Sequence, residues 1–501
     1  MAQHGSKQYR ALSVSTALAA ALSLQGCETV AGGSEGTSGT PTTVQTISEK
    51  DKQQGAEAHP QLLAEFGGAV QGAQANYVEN VGKTIAVQSG LSNARGDFTV
   101  TLLNSPVNNA FAIPGGYVYV TRQLTALMNN EAELAGVLGH EVGHVAARHA
   151  AKRQKAATRN SIIGVLGTVL SGALLGDNTF GRLGQQIFSQ GSQMLTLKYS
   201  RSQELEADNL GIEYLRRAGY DPRAMSTVLQ SLAQQNALEA SLRGTSNRVP
   251  EWASTHPDPA TRVPAALNRA GANATGVTNR DTFLSSIDGL TYGDDPKQGI
   301  VDGRNFVHPE LRLAFQAPDG FYMVNGTRAV SINGQSGRGQ FTGGAYSGDL
   351  DAYVRSAFAG LTGQNEQKVS PQEVLRTTVN GLPAAYGTAR ASDGNQQIDV
   401  IVFAYEFAKD RAYHFVTFSQ AGYSSAFSPM FNSIRRVSAS EAGQVKARKL
   451  DVVTVRPGDT IQSMAARMAF DDAKLERFLV LNGLTTQSVL RSGDRVKIVA
   501  D

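Results

Sequence analysis

His140-Glu141-Val142-Gly143-His144 constrains this chain more than any other stretch. It reads H-E-x-x-H, a pattern with a metal-binding use on a helix. There, positions i and i+4 share one face, so both imidazoles reach a single ion. Zinc takes nitrogen and oxygen ligands in a tetrahedron, and a catalytic site keeps one position for water. Glu141 is turned off the shared face, yet lies close enough to reach that water as general base. The flanks predict a helix. Glu131, Leu134, Leu138, Val142 and Val145 follow helical spacing without Pro, and Asn129 and Asn130 stand where a cap belongs. The chain has 8 His in all, which leaves little room for an accidental match.

Two histidines do not complete a catalytic zinc site. Ser200 to Asp208 (S-R-S-Q-E-L-E-A-D) starts a second helix, with Leu205, Leu210, Ile212 and Leu215 as its apolar positions. Glu204 and Asp208 are i and i+4 and share a face. One carboxylate completes a two-His, one-carboxylate site, and the other can accept the second N–H of a ligating His. Glu206 stands about 200° round the helix from Glu204 and reads as pointing away. His149 lies past the motif, off the metal face, and reads as a residue behind the ligands or at the surface, not a ligand. Upstream, Asp97 to Leu103 predicts a strand, and Asn108 to Val120 a hairpin turning at Pro114-Gly115-Gly116. An edge strand beside a zinc helix can pair with an extended peptide.

Three stretches together resemble one family: A-F-A-I-P-G-G at 110–116, E-A-E-L-A-G-V-L-G-H-E-V-G-H at 131–144 and S-R-S-Q-E-L-E-A-D at 200–208. They are similar to the zinc metallopeptidases related to HtpX and the CAAX prenyl endopeptidases. The resemblance covers about residues 60 to 270. It implies one Zn2+ per chain at His140, His144 and Glu204, with Glu141 as catalytic base and Asp208 as supporting catalytic carboxylate. It also implies a mainly helical, zincin-like catalytic domain with a small β-sheet. Thr255 to Arg262 (T-H-P-D-P-A-T-R) looks like a further segment of that family. Its Pro-flanked His256 offers a regulatory fourth ligand that would displace the water and make the site latent. Arg262 would steady a substrate carbonyl or the oxyanion. The same residues also make a plain turn with a capping Asp258 and a solvent-facing His256, and the spacing does not choose.

At 501 residues, two to four domains are expected. Net charge is +3 with acids and bases nearly balanced, which does not suit a nucleic-acid partner. The 1 Cys excludes an intrachain disulfide. Lys7 and Arg10 precede an apolar run, Ala11 to Leu24, too short to span a bilayer permanently. Leu24-Gln25-Gly26-Cys27 resembles a bacterial lipobox; an ordinary cleaved signal with an incidental Cys is the alternative. The lipobox implies a signal peptide over residues 1–26 and an acylated Cys27 as anchor in the lipid bilayer. Glu28, where Asp is absent, implies the periplasm and the inner leaflet of a Gram-negative outer membrane. Residues 27–60 read as a flexible tether, from the Gly/Ser/Thr-rich stretch at 31–46, and Gln61 to Ser89 as helical. Ser161 to Leu175 is apolar and Gly-punctuated, a core or hairpin helix or else a mobile or membrane-touching segment, and a Gly-rich loop follows to Gly191. The signal, with no spanning helices, implies the soluble periplasmic, BepA-like branch of the family.

The expected organisation is multidomain α+β: a metallopeptidase domain at 61–272, a linker at 273–300, an α+β middle domain at 301–440 and a βααβ unit at 450–501. In the middle domain short strands alternate with turns, and helices fall near Asp351–Leu361 and Ser425–Ile434. His308 and His414 lack partners at ligand spacing and read as structural. The last unit, with V-R-P-G-D-T at 455–460 and L-N-G-L at 481–484, resembles a LysM module, which implies peptidoglycan as a partner. The combined expectation is an envelope zinc endopeptidase. It would hydrolyse misfolded or stalled envelope and outer-membrane proteins beside the outer-membrane assembly machinery. Two alternatives stand: a peptidoglycan-associated zinc hydrolase, and a chaperone-like binding protein with a latent protease site.

Overall fold

A computed structural model describes residues 45–152, 199–242, 256, 258–361, 369–393 and 396–501. The expected signal peptide, Cys27 and the segments at 161–175 and 176–191 lie outside the described residues.

The described chain opens with α1 (Glu49–Glu65), where Ser48 accepts from Asp51 N and the Asp51 side chain takes the Ser48 N–H. Residues 49–60 are therefore helix rather than tether. The reciprocal cap in S-E-K-D is the start signal that a compositional reading passes over. Nor does one helix run from Gln61 to Ser89. Gly67, Gly68 and Gly72 take φ of 81°, 87° and 94°, which parts α1 from α2 (Ala73–Ala86). Next come β1 (Thr99–Leu103), β2 (Ala110–Ile113) and β3 (Tyr117–Thr121), in the order β1-β3-β2. β1 runs parallel to β3 and β2 antiparallel, so the hairpin forms and β2 is an edge.

A short helix, α3 (Arg122–Leu127), leads to α4 (Glu131–Ala146), which carries the H-E-x-x-H motif. Asn130 caps α4 by accepting from Glu133 N. Every residue from Glu131 to His144 is buried, the polar side chains among them. It packs against α2, β2, α5 (Arg201–Arg217) and α6 (Ala224–Leu242). The α4–α5 crossing is close because glycines make it. A Cβ on Gly211 would lie 3.1 Å from His140 N, and one on Gly143 3.2 Å from Ala207 O. That approach brings the Glu204 face of α5 onto the histidine face of α4.

After α7 (Pro259–Ala270) comes α8 (Arg280–Ile287), inside the stretch expected to be a linker. Residues 273–300 are not one. Phe283, Leu284, Ile287 and Leu290 are buried in the same core as α2 and α4. β4 (Thr291–Tyr292) joins the C-terminal sheet. The helical spacing of Phe283, Leu284 and Ile287 is present in the sequence but sits among polar neighbours.

The β-rich region follows. β5 (Ile300–Asp302), β6 (Asn305–His308) and β7 (Leu313–Gln316) form a sheet with β15 (Arg435–Arg436). β8 (Tyr322–Asn325), β9 (Val330–Asn333), β10 (Gly337–Gly344), β11 (Val374–Val379), β12 (Leu382–Asp393), β13 (Gln396–Ala408) and β14 (Arg411–Gln420) build a seven-stranded antiparallel sheet ordered β11-β12-β13-β14-β10-β9-β8. Phe306 and Phe315 of the smaller sheet share a core with Phe341 and Phe415 of the larger one. Helix α9 (Leu350–Ala359) packs over β12 and β13 and contributes Val354 and Phe358 to the core with Val400 and Val402. His414 is buried there against the Tyr353 hydroxyl at 2.9 Å.

Last come β16 (Arg448–Thr454), α10 (Ile461–Ala466), α11 (Lys474–Asn482) and β17 (Arg495–Ala500), with β16 and β17 antiparallel. This βααβ unit has no core to itself. Met464, Met468, Phe478 and Val499 belong to the apolar cluster that also holds Leu134, Leu138 and Val142 of α4. The buried Lys497 ammonium donates to Ala126 O at 2.7 Å and Met128 O at 2.5 Å, at the open end of α3. Among the described residues no helix is long and apolar enough to cross a membrane.

Candidate metal centre

α4 supplies His140, Glu141 and His144, the first turns of α5 supply Glu204 and Asp208, and α7 supplies Arg262. His256 joins them from the chain just before α7. One ligand atom from each of His140, His144, Glu204 and His256 lies within 4.8 Å of all the others. His140 Nε2 stands 3.0 Å from His144 Nε2, 3.3 Å from His256 Nδ1 and 3.6 Å from Glu204 Oε2. Glu204 Oε1 lies 3.1 Å from His256 Nδ1 and 3.5 Å from His144 Nε2. Zinc bonds of about 2.0–2.1 Å in a tetrahedron would set these edges at about 3.3–3.4 Å. The residues present therefore fit a zinc ion, in donor type and in spacing. All four are buried.

The charges suit a cation. Burial works to raise the Glu204 carboxyl, but His256, His140 and Arg262 outweigh it and hold it below its ordinary value. Burial likewise opposes the charge on Asp208, whose contacts with His140 and Arg262 bring it down to about 2. His144 is pushed well below the usual histidine range, first by burial and then by neighbouring positive groups. Ionised carboxylates and a neutral imidazole are the forms that ligate metal. Glu141 behaves differently: burial pushes it up to about 8. Its buried Oε1 has no hydrogen-bond partner among the described residues and stands 3.6 Å from His256 Nε2.

Asp208 Oδ1 lies 2.9 Å from His140 Nδ1, a close polar contact behind the ring. Arg262 is not aimed at an open site, contrary to the oxyanion expectation. Its Nε donates to Asp208 Oδ2 at 2.8 Å, Nη2 to Asp208 Oδ1 at 2.5 Å, and Nη1 to Glu204 Oε2. Three buried carboxyl groups, Glu141, Glu204 and Asp208, crowd one another and draw the guanidinium inward. His256 does not face solvent, being 2% exposed.

His149 takes the first of its two expected places, behind the ligands, and Glu206 is the residue that sequence reasoning left aside. α4 stops at Ala146, Arg148 takes a left-handed φ of 55°, and the chain then doubles His149 back under His144. His149 Nδ1 comes 2.8 Å from His144 Nδ1, and His149 Nε2 comes 3.1 Å from Glu206 Oε2. Tyr199 stacks on the His144 ring with centroids 3.7 Å apart and planes at 21°. Continuous-helix geometry turns His149 away, and nothing in A-A-R-H announces the break.

Residues 72–270, which hold every one of these side chains, match Peptidase family M48. Over 197 residues the chain is 34% identical to the beta-barrel assembly-enhancing protease of Yersinia pestis, covering 39% of this chain and 38% of that one. Against the protein of the same name from Escherichia coli strain K12 the identity is 32%, with the same coverage of 39% and 38%. Over 216 residues it is 30% identical to the mitochondrial metalloendopeptidase OMA1 of Schizosaccharomyces pombe, covering 42% of this chain and 59% of that one. The matched stretch thus spans 38% of the length of the beta-barrel assembly-enhancing proteases.

Proposed function

From the match of residues 72–270 to Peptidase family M48, we propose that the chain is a zinc-dependent endopeptidase of the bacterial envelope, acting on misfolded or stalled envelope proteins. The convergence of four buried ligand atoms beside the buried Glu141 carboxyl carries this reading. A zinc ion held by His140, His144 and Glu204 supplies Lewis acidity toward the scissile carbonyl and toward water. Glu141 takes the proton of the attacking water on Oε1 and returns it to the leaving amine. The same carboxyl thus serves first as base and then as acid within one turnover. Asp208 holds the ring of His140, and Arg262 lets Asp208 and Glu204 stay ionised side by side. The edge of β2, against α4, offers main-chain partners to an extended substrate.

His256 supports a latent form of the same enzyme. A tetrahedral shell with four protein donors leaves no place for water. His256 stands between the other three donors and Glu141, where the nucleophile belongs. Cleavage then requires this histidine to withdraw. The lipobox-like start and the relatives' name, beta-barrel assembly-enhancing protease, support the periplasmic face of the outer membrane as the location, with acylated Cys27 as anchor. They also support unfolded outer-membrane proteins and their assembly machinery as partners. The βααβ order at 448–500 supports a LysM-like unit with peptidoglycan as its partner.

The test is cleavage of an unfolded outer-membrane barrel protein by the lipid-free chain carrying one zinc, with Glu141→Gln beside it. The parent should cut; the variant should bind zinc and not cut. Equal cutting by both would refute the role of Glu141. His256→Ala should cut at least several-fold faster than the parent, and an unchanged rate would refute latency.

A further inference from the structure

We propose that His149 and Glu206 are positioning residues that hold His144 as a metal ligand through two hydrogen bonds in series. The inference rests on the reading above, in which His144 binds zinc through Nε2. That nitrogen faces His140 Nε2 at 3.0 Å and Glu204 Oε1 at 3.5 Å, so its lone pair is committed to the centre. A neutral imidazole ligating through Nε2 carries its proton on Nδ1. His144 Nδ1 therefore donates across 2.8 Å to His149 Nδ1, which must be bare. The proton of His149 then sits on Nε2 and is donated to Glu206 Oε2 across 3.1 Å. Only this tautomer pair leaves His144 Nε2 free to ligate. The reversed pair would place a proton where the metal bond forms.

The two motif histidines are thus oriented differently. His140 has a buried carboxylate, Asp208, directly behind it. His144 is served at one remove, by an imidazole that is itself held by a half-exposed carboxylate. The fold is arranged to allow this. A left-handed Arg148 at φ 55° is a conformation that costs a non-glycine residue about 1 kcal/mol or more. It carries His149, fully buried, back under the motif helix. Gln203 Nε2 donates to His149 O at 3.4 Å and ties the turn to α5, the helix that also carries Glu204 and Glu206. Tyr199 lies flat on the ring of His144 and limits its swing.

The experiment measures zinc affinity by competition with a chromophoric chelator, which requires no proteolysis. His149→Leu should bind zinc about 10–100-fold more weakly than the parent, the range seen when the partner of a ligating histidine is lost. His149→Gln should recover most of that loss, since its amide can accept from His144 and donate to Glu206. Glu206→Ala should weaken binding by less. The double variant should bind no more weakly than His149→Leu alone, because Glu206 acts through His149. The absorption bands of the Co2+-substituted protein should shift in His149→Leu and return in His149→Gln. Parent-like affinity in His149→Leu, or losses that simply add in the double variant, would overturn the proposal. Should His149→Leu fail to fold, as judged by melting of the metal-free protein, His149→Gln and Glu206→Ala still decide it: His149→Gln must bind like the parent and Glu206→Ala more weakly. His144→Ala separates the two readings. If it abolishes zinc binding while His149→Leu leaves binding untouched, only this inference falls. If the parent binds no zinc, the enzymatic reading falls with it.

Discussion

Asp208 tests whether the centre depends on the residues behind its ligands. The carboxylate serves two clients. Oδ1 faces both His140 Nδ1 at 2.9 Å and Arg262 Nη2 at 2.5 Å, while Oδ2 takes Arg262 Nε at 2.8 Å. In Asp208→Asn the best orientation keeps the amide oxygen at the Oδ1 position. His140 then retains its partner, and one N–H of the guanidinium meets an NH2 group instead of an acceptor. One charge-assisted hydrogen bond is lost, worth about 1.5–3 kcal/mol, and Glu204 remains to balance Arg262. Asp208→Ala removes both clients' acceptor, so His140 loses its brace as well. The expected order is a zinc affinity lowered about tenfold in Asp208→Asn and nearer a hundredfold in Asp208→Ala. Chelator competition at neutral pH reads the ratio, and melting of the metal-free protein reads the lost ion pair separately. Parent-like affinity in Asp208→Ala, or a larger loss in Asp208→Asn than in Asp208→Ala, would refute the account.

Two further outcomes lie outside the centre. Lys497→Met leaves the carbonyls of Ala126 and Met128 buried without their donor, at about 1–3 kcal/mol each, partly offset because an ammonium no longer has to be buried. A net loss of roughly 2–4 kcal/mol in urea unfolding is expected, and a change within about 0.5 kcal/mol, as at an ordinary surface site, would count against it. His414 is lowered by burial from 6.5 to about 4. The unfolded chain takes up that proton at higher pH than the fold does. The contribution to stability is therefore complete above about 6.5 and declines as pH falls toward about 4, by at most about 3 kcal/mol. His414→Gln should flatten the pH dependence of unfolding over that interval; an unchanged slope would show that His414 does not set it.

What the sequence makes legible at the centre is whatever rests on a single helix. His140 and His144 share a face because they are four apart, and so do Glu204 and Asp208. The meeting of the two faces follows from glycines at the crossing, Gly143 and Gly211. Arg262 was legible as a site residue but not in its direction. That direction is set by the summed charge of three carboxyl groups from two helices, and no local pattern contains that sum. His149 was legible as a residue behind the ligands or at the surface, but not which of the two. Its position depends on one left-handed residue, Arg148, of a type that gives no sign of it.

Domain limits were less legible than chemistry, and Lys497 shows why. In D-R-V-K-I-V, Val496 and Ile498 alternate with Lys497, which by strand period should put the lysine in water. It is instead fully buried, because the second face of β17 is covered by the turn between α3 and α4, whose carbonyls need donors. A lysine makes sense there only in the presence of residues some 370 positions earlier. The same holds for Phe283, Leu284 and Ile287, which look like part of a polar connection until α2 and the C-terminal unit close around them. α3 runs directly into the cap of α4, so the donor that closes its end belongs to the last strand of the chain. The βααβ unit therefore supports the motif helix mechanically, whatever it binds. Removing it should loosen the metal centre and not merely detach an accessory module.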